Sequence, residues 1–547
     1  MLVYVSDRRK IMFDPLYQPY PSNRYCVTAS NGIVASGSNL ATAAGLEIMK
    51  KGGNAIDAAV ATAAALTVVE PTANGLGSDA FALVFVKDRL YGLNGSGYSP
   101  KDISIEKVKA ISKDGKMPRF GWTPVMVPGA VKSWERLIER FGRLSLKEVL
   151  EPAIRYAAEG YPVSPLLGKM WENATRIYTS RFAGQKEYDE WFKVFTKNGE
   201  SYHFGEIVKL KDHARTLKLI AENGADVFYK GEIAKQFVKQ SQRDGGFFAM
   251  EDLESYDVSF VEPIRVNYRG YDVCEIPPNG QGIVALMALN MLKEFECADK
   301  NDSETCHRQI EAIKIAFADA KKYVTDPGYM KADYEELLRP EFGKKRSLSI
   351  EGQAKVPEPA DLSKSGTVYL CTADKEGNMV SYIQSNYMGF GSGIVLEGYG
   401  VALQNRGADF SLDENDANAL KGHKKSYHTI IPGFLIKDGK PIGPFGVMGG
   451  YMQPQGHVQI LMNMIDHGLN PQMALDAPRW QWIKDKEILV EPSFPEDMLE
   501  KLREKGHDIT VAKDVTSFGR GQIIWRLDNG VLVAGCESRT DSNIACY

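Results

Sequence analysis

The run "AIDAAVATAAALTVVE" (55–70) constrains the fold more than any other stretch of this chain. It is alanine-rich, interrupted only by Asp57 and too short and too interrupted to span a membrane, so it reads as a buried helix. Small side chains of this kind suit close packing against a sheet. Asn54 caps it, Gly52-Gly53 ends the preceding helix "LATAAGLEIMKK", and Asn39 is the expected cap of that one. Next, "FALVFVKDRLYGLNGSG" alternates and breaks as a hairpin does. Residues 128–160 read as helical and 165–250 as a helix-rich, charged segment. "VEPIRVNYRGYDVCEIPP" returns to strand, and "GIVALMALNMLKEFE" and "CHRQIEAIKIAFADAKKYVTDP" are long helices. From Thr367 onward strands dominate, with helices near "PQGHVQILMNMIDHGL" and "PEDMLEKLREKG". This order suggests sheets covered by helices.

Composition narrows the function classes. Lys+Arg 66 against Asp+Glu 70 gives a net charge of −4, which offers no basic excess for a phosphate backbone, so nucleic acid is not an expected partner. The seven cysteines are scattered without a CxxC pair, which argues against a disulfide framework and a structural zinc site. Cys306-His307 begin a helical run with no second ligand pair, so neither a metal nor a cofactor is expected. Only the five residues "MLVYV" precede the first polar ones, too few for a signal-peptide core, and no membrane association is expected. The expected location is the cytoplasm.

Residues 341–366, "EFGKKRSLSIEGQAKVPEPADLSKSG", lack periodicity and read as an exposed linker. It runs into Gly366-Thr367 and a strand in which Val368, Leu370 and Thr372 alternate with Tyr369, Cys371 and Ala373. Cleavage between Gly366 and Thr367 would give Thr367 both a hydroxyl and a free α-amine. Such an amine, with a pKa near 7.7–8.0, can take the hydroxyl proton without a histidine. Gly366 supplies backbone freedom, while the β-branch of Thr367 keeps its hydroxyl aimed. A Gly-Thr step at a strand start is common, and alone it carries little.

Its surroundings carry more. "GGNAIDAAVATAAALTVVEPTANGLGSDAF" (52–81), "PGAVKSWERLIERFG" (128–142), "IEAIKIAFADAKKYVTDP" (310–327), "GTVYLCTADKEGNMVSYIQSNYMGFGSGIV" (366–395), "ALQNRGADFSL" (402–412) and "VMGGYMQPQGHVQ" (447–459) occur in order. Together they resemble the γ-glutamyltranspeptidase family of N-terminal-nucleophile hydrolases, from about residue 31 to the C-terminus. The resemblance implies an α+β fold, a four-layer αββα sandwich. It implies that Thr367 is the nucleophile, that Ser385 hydrogen-bonds it, and that backbone N–H groups of Gly449 and Gly450 form an oxyanion hole. It matches Asp409 to the residue that holds a substrate α-amino group, and Tyr387, Arg406, His428 and Thr429 to substrate-wall positions.

The departures point to one branch of the family. Ser96, in "LNGSGYSP", stands where transpeptidases carry an Arg that clamps the substrate α-carboxylate, and a hydroxyl cannot replace a guanidinium fork. His428-Thr429 replace an adjacent pair of serines. These features resemble the acylase and amidohydrolase members, with Arg406 offering positive charge from another wall. "PPNGQGIVALM" lacks a full phosphate loop, so nucleotide binding is not expected. "KGHKK" (421–425) reads as a solvated loop.

The expectation is therefore an autoprocessing threonine amidohydrolase acting on a small-molecule amide. Residues 1–366 would form a large subunit and 367–547 a small one. The two together would make one αββα unit and a two-chain heterodimer, with further dimerisation open. Two alternatives stand beside it: a true γ-glutamyltransferase that holds the carboxylate through Arg406, and an unprocessed binding protein.

Overall fold

The computed structural model describes residues 14, 16–17, 24–297, 299–357 and 366–547. Two antiparallel seven-stranded sheets form its centre. In one, the strand order is Asn543–Cys546, Gly32–Ser36, Gly366–Asp374, Met379–Tyr387, Asp79–Val86, Arg89–Gly95 and Ser259–Val261. In the other it is Val27–Ala29, Leu532–Cys536, Arg520–Arg526, Lys440–Met448, Gly433–Lys437, Tyr271–Glu275 and Ile264–Tyr268. Each sheet takes strands from both sides of residue 366, so neither chain half could close its sheets alone.

Period-two alternation explains the layering. On the Gly366–Asp374 strand, Tyr369, Cys371 and Ala373 join Ile383, Phe434, Met448 and Ile524 in the core between the sheets. Val368 and Leu370 face the other way, into the core shared with the Ala55–Val69 helix. Helices Gly282–Leu292 and Met452–Ile465 cover the second sheet. The result is helix, sheet, sheet, helix: an α+β sandwich of four layers, as the resemblance implied.

All fifteen residues of Ala55–Val69 are buried. Its neighbour Asn39–Lys50 packs closely at Gly45, where a Cβ would sit 2.3 Å from Thr62 Oγ1 and 3.1 Å from Ala58 O. Asn54 caps the helix through a reciprocal box with Asp57, and Asp57 also accepts from the Arg143 and Leu144 amides. That explains a carboxylate in an otherwise apolar helix. The expected cap Asn39 lies one residue inside its helix; Ser38 holds the cap position without a side-chain bond.

The expected linker is a second correction. Pro340–Ser347 is helical and packs on Gly282–Leu292, where a Cβ on Gly343 would lie 2.9 Å from Asn290 O. Beyond it, the Ala354 amide donates to Lys505 O and the Lys355 amide to Glu311 Oε2. Packing on a neighbouring helix, rather than internal periodicity, orders this segment. Residues 358–365 of the expected linker lie outside the described residues. Among the described residues, no helix is long and apolar enough to cross a membrane.

Candidate active site

Thr367 is fully buried at the start of its strand, and its Oγ1 lies 3.0 Å from Ser385 Oγ on the adjacent strand. The register there is irregular: Gly366 pairs with Tyr387 but Val368 with Gln384, so the partner strand carries an extra residue opposite Thr367. The bulge turns Tyr387 to a φ of +76°, a region that costs a non-glycine residue about 1–3 kcal/mol. The surroundings hold it there. The Tyr387 amide donates to Ser385 Oγ at 2.8 Å, and its phenol donates to Asp409 Oδ1 at 2.5 Å. The Arg406 guanidinium lies 4.1 Å above its ring.

Arg406 and Asp409 sit on one short 3₁₀ turn, Arg406–Asp409. Arg406 Nη1 donates to Thr429 Oγ1 at 2.7 Å, and the nearest Asp409 oxygen is 3.9 Å away. Among the described residues, Arg406 Nε, Arg406 Nη2 and Asp409 Oδ2 have no hydrogen-bond partner although buried. Burial pushes the Asp409 carboxyl up, and Arg406 and the Tyr387 phenol pull it back. Burial likewise lowers the Arg406 pKa, opposed first by Asp409.

Gly449 and Gly450 follow the Lys440–Met448 strand and precede the Met452–Ile465 helix. Their φ angles of +140° and +62° are why glycine is needed at this step. The Gly450 carbonyl accepts from the Gln453 amide and from Gln281 Nε2. Between the glycines and the helix stands Tyr451, whose phenol lies 3.4 Å from Asp409 Oδ1. Hydrogen bonds thus connect Thr367, Ser385, Tyr387, Asp409 and Tyr451 in sequence, gathering residues from four separate segments.

Two residues expected at the substrate wall are engaged by the protein itself. Ser96 Oγ donates to Asn94 Oδ1 at 2.6 Å and accepts from Asn279 Nδ2 at 3.3 Å. His428 is fully buried against Phe81, with Nε2 2.9 Å from Asp79 Oδ2 and Nδ1 accepting from the Ile430 amide. Burial holds the imidazole well below its usual pKa. Burial also raises the Asp79 carboxyl to about 7, with Arg406 and then Lys425 opposing. Asp79 lies directly across the strand pair from Ser385. Asp79, Gln281 and Tyr451 are not among the site residues expected from sequence; of the three, only Tyr451 carries a local signal, its place beside Gly450.

The "KGHKK" run is corrected in part: Lys421 and His423 are exposed as expected, but the last two lysines are not. Lys424 and Lys425 are 2% and 6% exposed. Lys424 Nζ donates to the Ala417 and Ala419 carbonyls, and burial lowers its pKa to about 8. Away from this site, the carboxylate of Glu311 comes close to His307 and His507, all three buried. Most of their polar atoms are already committed: Glu311 accepts from Lys314 Nζ at 2.6 Å, His307 Nδ1 and His507 Nε2 face each other at 2.8 Å, and His307 Nε2 meets Glu351 O, which leaves His507 Nδ1 without a partner among the described residues. A neighbouring ammonium disfavours a cation there, so the cluster fits a structural hydrogen-bond network.

Comparison with known proteins gives consistent matches. The sequence profile described as Gamma-glutamyltranspeptidase matches residues 41–547. The glutathione hydrolase-like YwrD proenzyme of Bacillus subtilis is 36% identical over 94% of this chain and 98% of its own. The oxamate amidohydrolase proenzyme of Klebsiella pneumoniae is 31% identical over 95% of this chain and 99% of its own. Among solved structures, a cephalosporin acylase from Bacillus halodurans superimposes with a TM-score of 0.95 at 54% identity, covering 98% of this chain and 99% of that one.

Proposed function

Because this chain belongs to the γ-glutamyltranspeptidase family and is an amide hydrolase of the N-terminal-nucleophile type, we propose that Thr367 is its nucleophile and that its acyl substrate carries a carboxylate bound by Arg406. The observation that carries the reading is the pair of unsatisfied Arg406 donors, Nε and Nη2, on a guanidinium only 1% exposed. Leaving a buried charged donor unpaired is costly, and a substrate carboxylate would satisfy both at once.

The chemistry begins with self-cleavage. Thr367 Oγ1 attacks the Gly366 carbonyl, the Gly366–Thr367 amide becomes an ester, and water hydrolyses it. This frees the Gly366 carboxylate and the Thr367 α-amine, and yields chains of 366 and 181 residues. In turnover, the amine takes the proton of Thr367 Oγ1, which Ser385 Oγ orients. The oxygen attacks the substrate carbonyl, and the N–H groups of Gly449 and Gly450 receive the negative charge; such a donor is worth about 3 kcal/mol. Collapse expels the amine, which leaves with the proton. Water then repeats the sequence on the acyl-threonine and releases the acid. Tyr387, Thr429 and Asp409 shape the acyl wall around Arg406, whereas Ser96 and His428 support it from behind.

A second reading has its own observation. Asp409 Oδ2 is an open acceptor 3.9 Å from Arg406 Nη1, on the guanidinium whose Nε and Nη2 are open. An open acceptor beside open donors also suits the ammonium and carboxylate of an α-amino acid, so a γ-glutamyl amide could dock on the same pair. The test is catalytic efficiency on a glutaryl amide, a γ-glutamyl amide and oxamate, with a dipeptide as acceptor. A preference for the glutaryl amide or oxamate with hydrolysis dominant supports the first reading. Preference for the γ-glutamyl amide with transfer exceeding hydrolysis supports the second. No turnover of any amide by processed protein refutes both.

A further inference from the structure

An oxyanion loop works only if it is held still, and the side chains that hold this one come from a part of the chain the mechanism has not used. Gly449 packs against Gly519: a Cβ on Gly449 would lie 3.1 Å from Gly519 Cα. Gly519, at φ +78°, has no room on its other sides. A Cβ there would meet Val447 Cγ1 at 2.6 Å and Met448 O at 2.7 Å. Met448 pairs with Arg520, so the strand end that delivers Gly449 is built against the Phe518–Arg520 segment.

One buried side chain fixes that segment. Arg479 Nη1 donates to Phe518 O at 3.0 Å and to Gly519 O at 3.1 Å. Its Nη2 donates to Leu475 O at 3.0 Å and to Glu537 Oε2 at 2.9 Å. Glu537 Oε2 also accepts the Gly521 amide, beyond Gly519, at 2.9 Å. Arg539 takes the other Glu537 oxygen and closes its fork on Glu491. Two guanidiniums and two carboxylates, all less than a tenth exposed, thus balance one another. Burying such a set is expensive, and apolar packing could supply equal stability. What apolar packing cannot do is hold two consecutive carbonyls in fixed directions.

We propose that Arg479 is a positioning residue for the reaction: by clamping the Phe518 and Gly519 carbonyls it sets the backstop against which Gly449 holds its N–H toward the oxyanion. This rests on the reading of Gly449 and Gly450 as the oxyanion donors. Acylation and deacylation both pass through an oxyanion, so a displaced loop slows both by the same factor and leaves KM unchanged.

The test uses the full-length, self-processed enzyme and the amide it turns over best among the three above. Arg479→Lys and Gly519→Ala are compared with Lys314→Met, which breaks a buried ion pair on the Ser303–Tyr323 helix and touches none of these residues. Single-turnover acylation and deacylation rates, KM and Tm are measured for each. The expected result for Arg479→Lys and Gly519→Ala is a fall of about 10- to 100-fold in both rates with KM within about twofold, the size of effect that a sub-ångström misplacement produces. Lys314→Met should lower Tm while leaving both rates near wild type. If Arg479→Lys does not fold, Gly519→Ala decides alone. Wild-type rates in Gly519→Ala, or rate losses that track Tm equally in all three variants, overturn the proposal. Absence of amide turnover in the wild type would instead sink the functional reading, before any variant is compared.

Discussion

Arg406→Met should separate substrates by charge. The substitution keeps an unbranched side chain of similar length against the Tyr387 ring and removes the fork. In the native site Nη1 is committed to Thr429, and Asp409 neutralises part of the charge from 3.9 Å. Two donors, Nε and Nη2, remain for a substrate carboxylate. Truncating one member of a buried, hydrogen-bonded charge pair costs about 2–5 kcal/mol. The partial neutralisation by Asp409 places this case near about 3 kcal/mol, or roughly two decades in kcat/KM. A neutral amide of the same chain length, such as a valeryl amide beside a glutaryl amide, makes no such contact and should lose less than about fivefold. The assay is the ratio of kcat/KM for the two amides in wild type, Arg406→Lys and Arg406→Met. The ratio should fall by about 100-fold in Arg406→Met and by an intermediate amount in Arg406→Lys, which keeps the charge without the fork. A ratio that does not change, or equal losses on both amides, would refute the carboxylate contact.

Wild-type protein should resolve on a denaturing gel into chains of ~40 and ~20 kDa, the smaller beginning Thr-Val-Tyr-Leu, whereas Thr367→Ala should remain one 60.7 kDa chain. Activity of the processed enzyme should rise with pH through about 8 as the Thr367 α-amine loses its proton, and N-methylation of that amine should shift or abolish the limb. Buried Glu537 is held down to about 2 despite desolvation, chiefly by Arg479 and Arg539. Its folded pKa is depressed, so its stabilisation is present above the unfolded value of 4.5 and lost as pH falls toward 2; that is about 3 kcal/mol. Urea midpoints measured across pH 5 to 2 should be steeper in wild type than in Glu537→Gln. Gly45→Val should lower stability by about 1–3 kcal/mol, because its Cβ would lie 2.3 Å from Thr62 Oγ1 at the helix contact; an unchanged urea midpoint would show the contact is loose.

Much of this was legible in residue order. The alanine run announced a helix with no solvent face, and strict alternation from Val368 to Ala373 announced which side chains meet the second sheet. Gly449-Gly450 were legible as a special backbone step, though only their place in a series of motifs gave them a chemical role. What stayed hidden was long-range. Lys424 looked solvated because nothing local reveals that the carbonyls of Ala417 and Ala419 will turn toward it. Pro340–Ser347 looked irregular because its order comes from Gly282–Leu292, about fifty residues earlier. His428 reads from sequence equally as a substrate-wall or a structural histidine, because Asp79, which meets its Nε2, lies 349 positions away. Sequence patterns report faces and periods; they do not report which distant polar group completes a buried hydrogen bond.

The central claim is that Thr367 carries the acyl group. Its most direct measurement is the intact mass of the smaller chain, acid-quenched during turnover of an activated glutaryl ester, followed by peptide mapping. The account predicts one glutaryl adduct on the peptide that begins at Thr367, attached through oxygen, removable by hydroxylamine and absent from Thr367→Ala. An adduct on any other side chain, or turnover by a chain still intact across Gly366–Thr367, would contradict it.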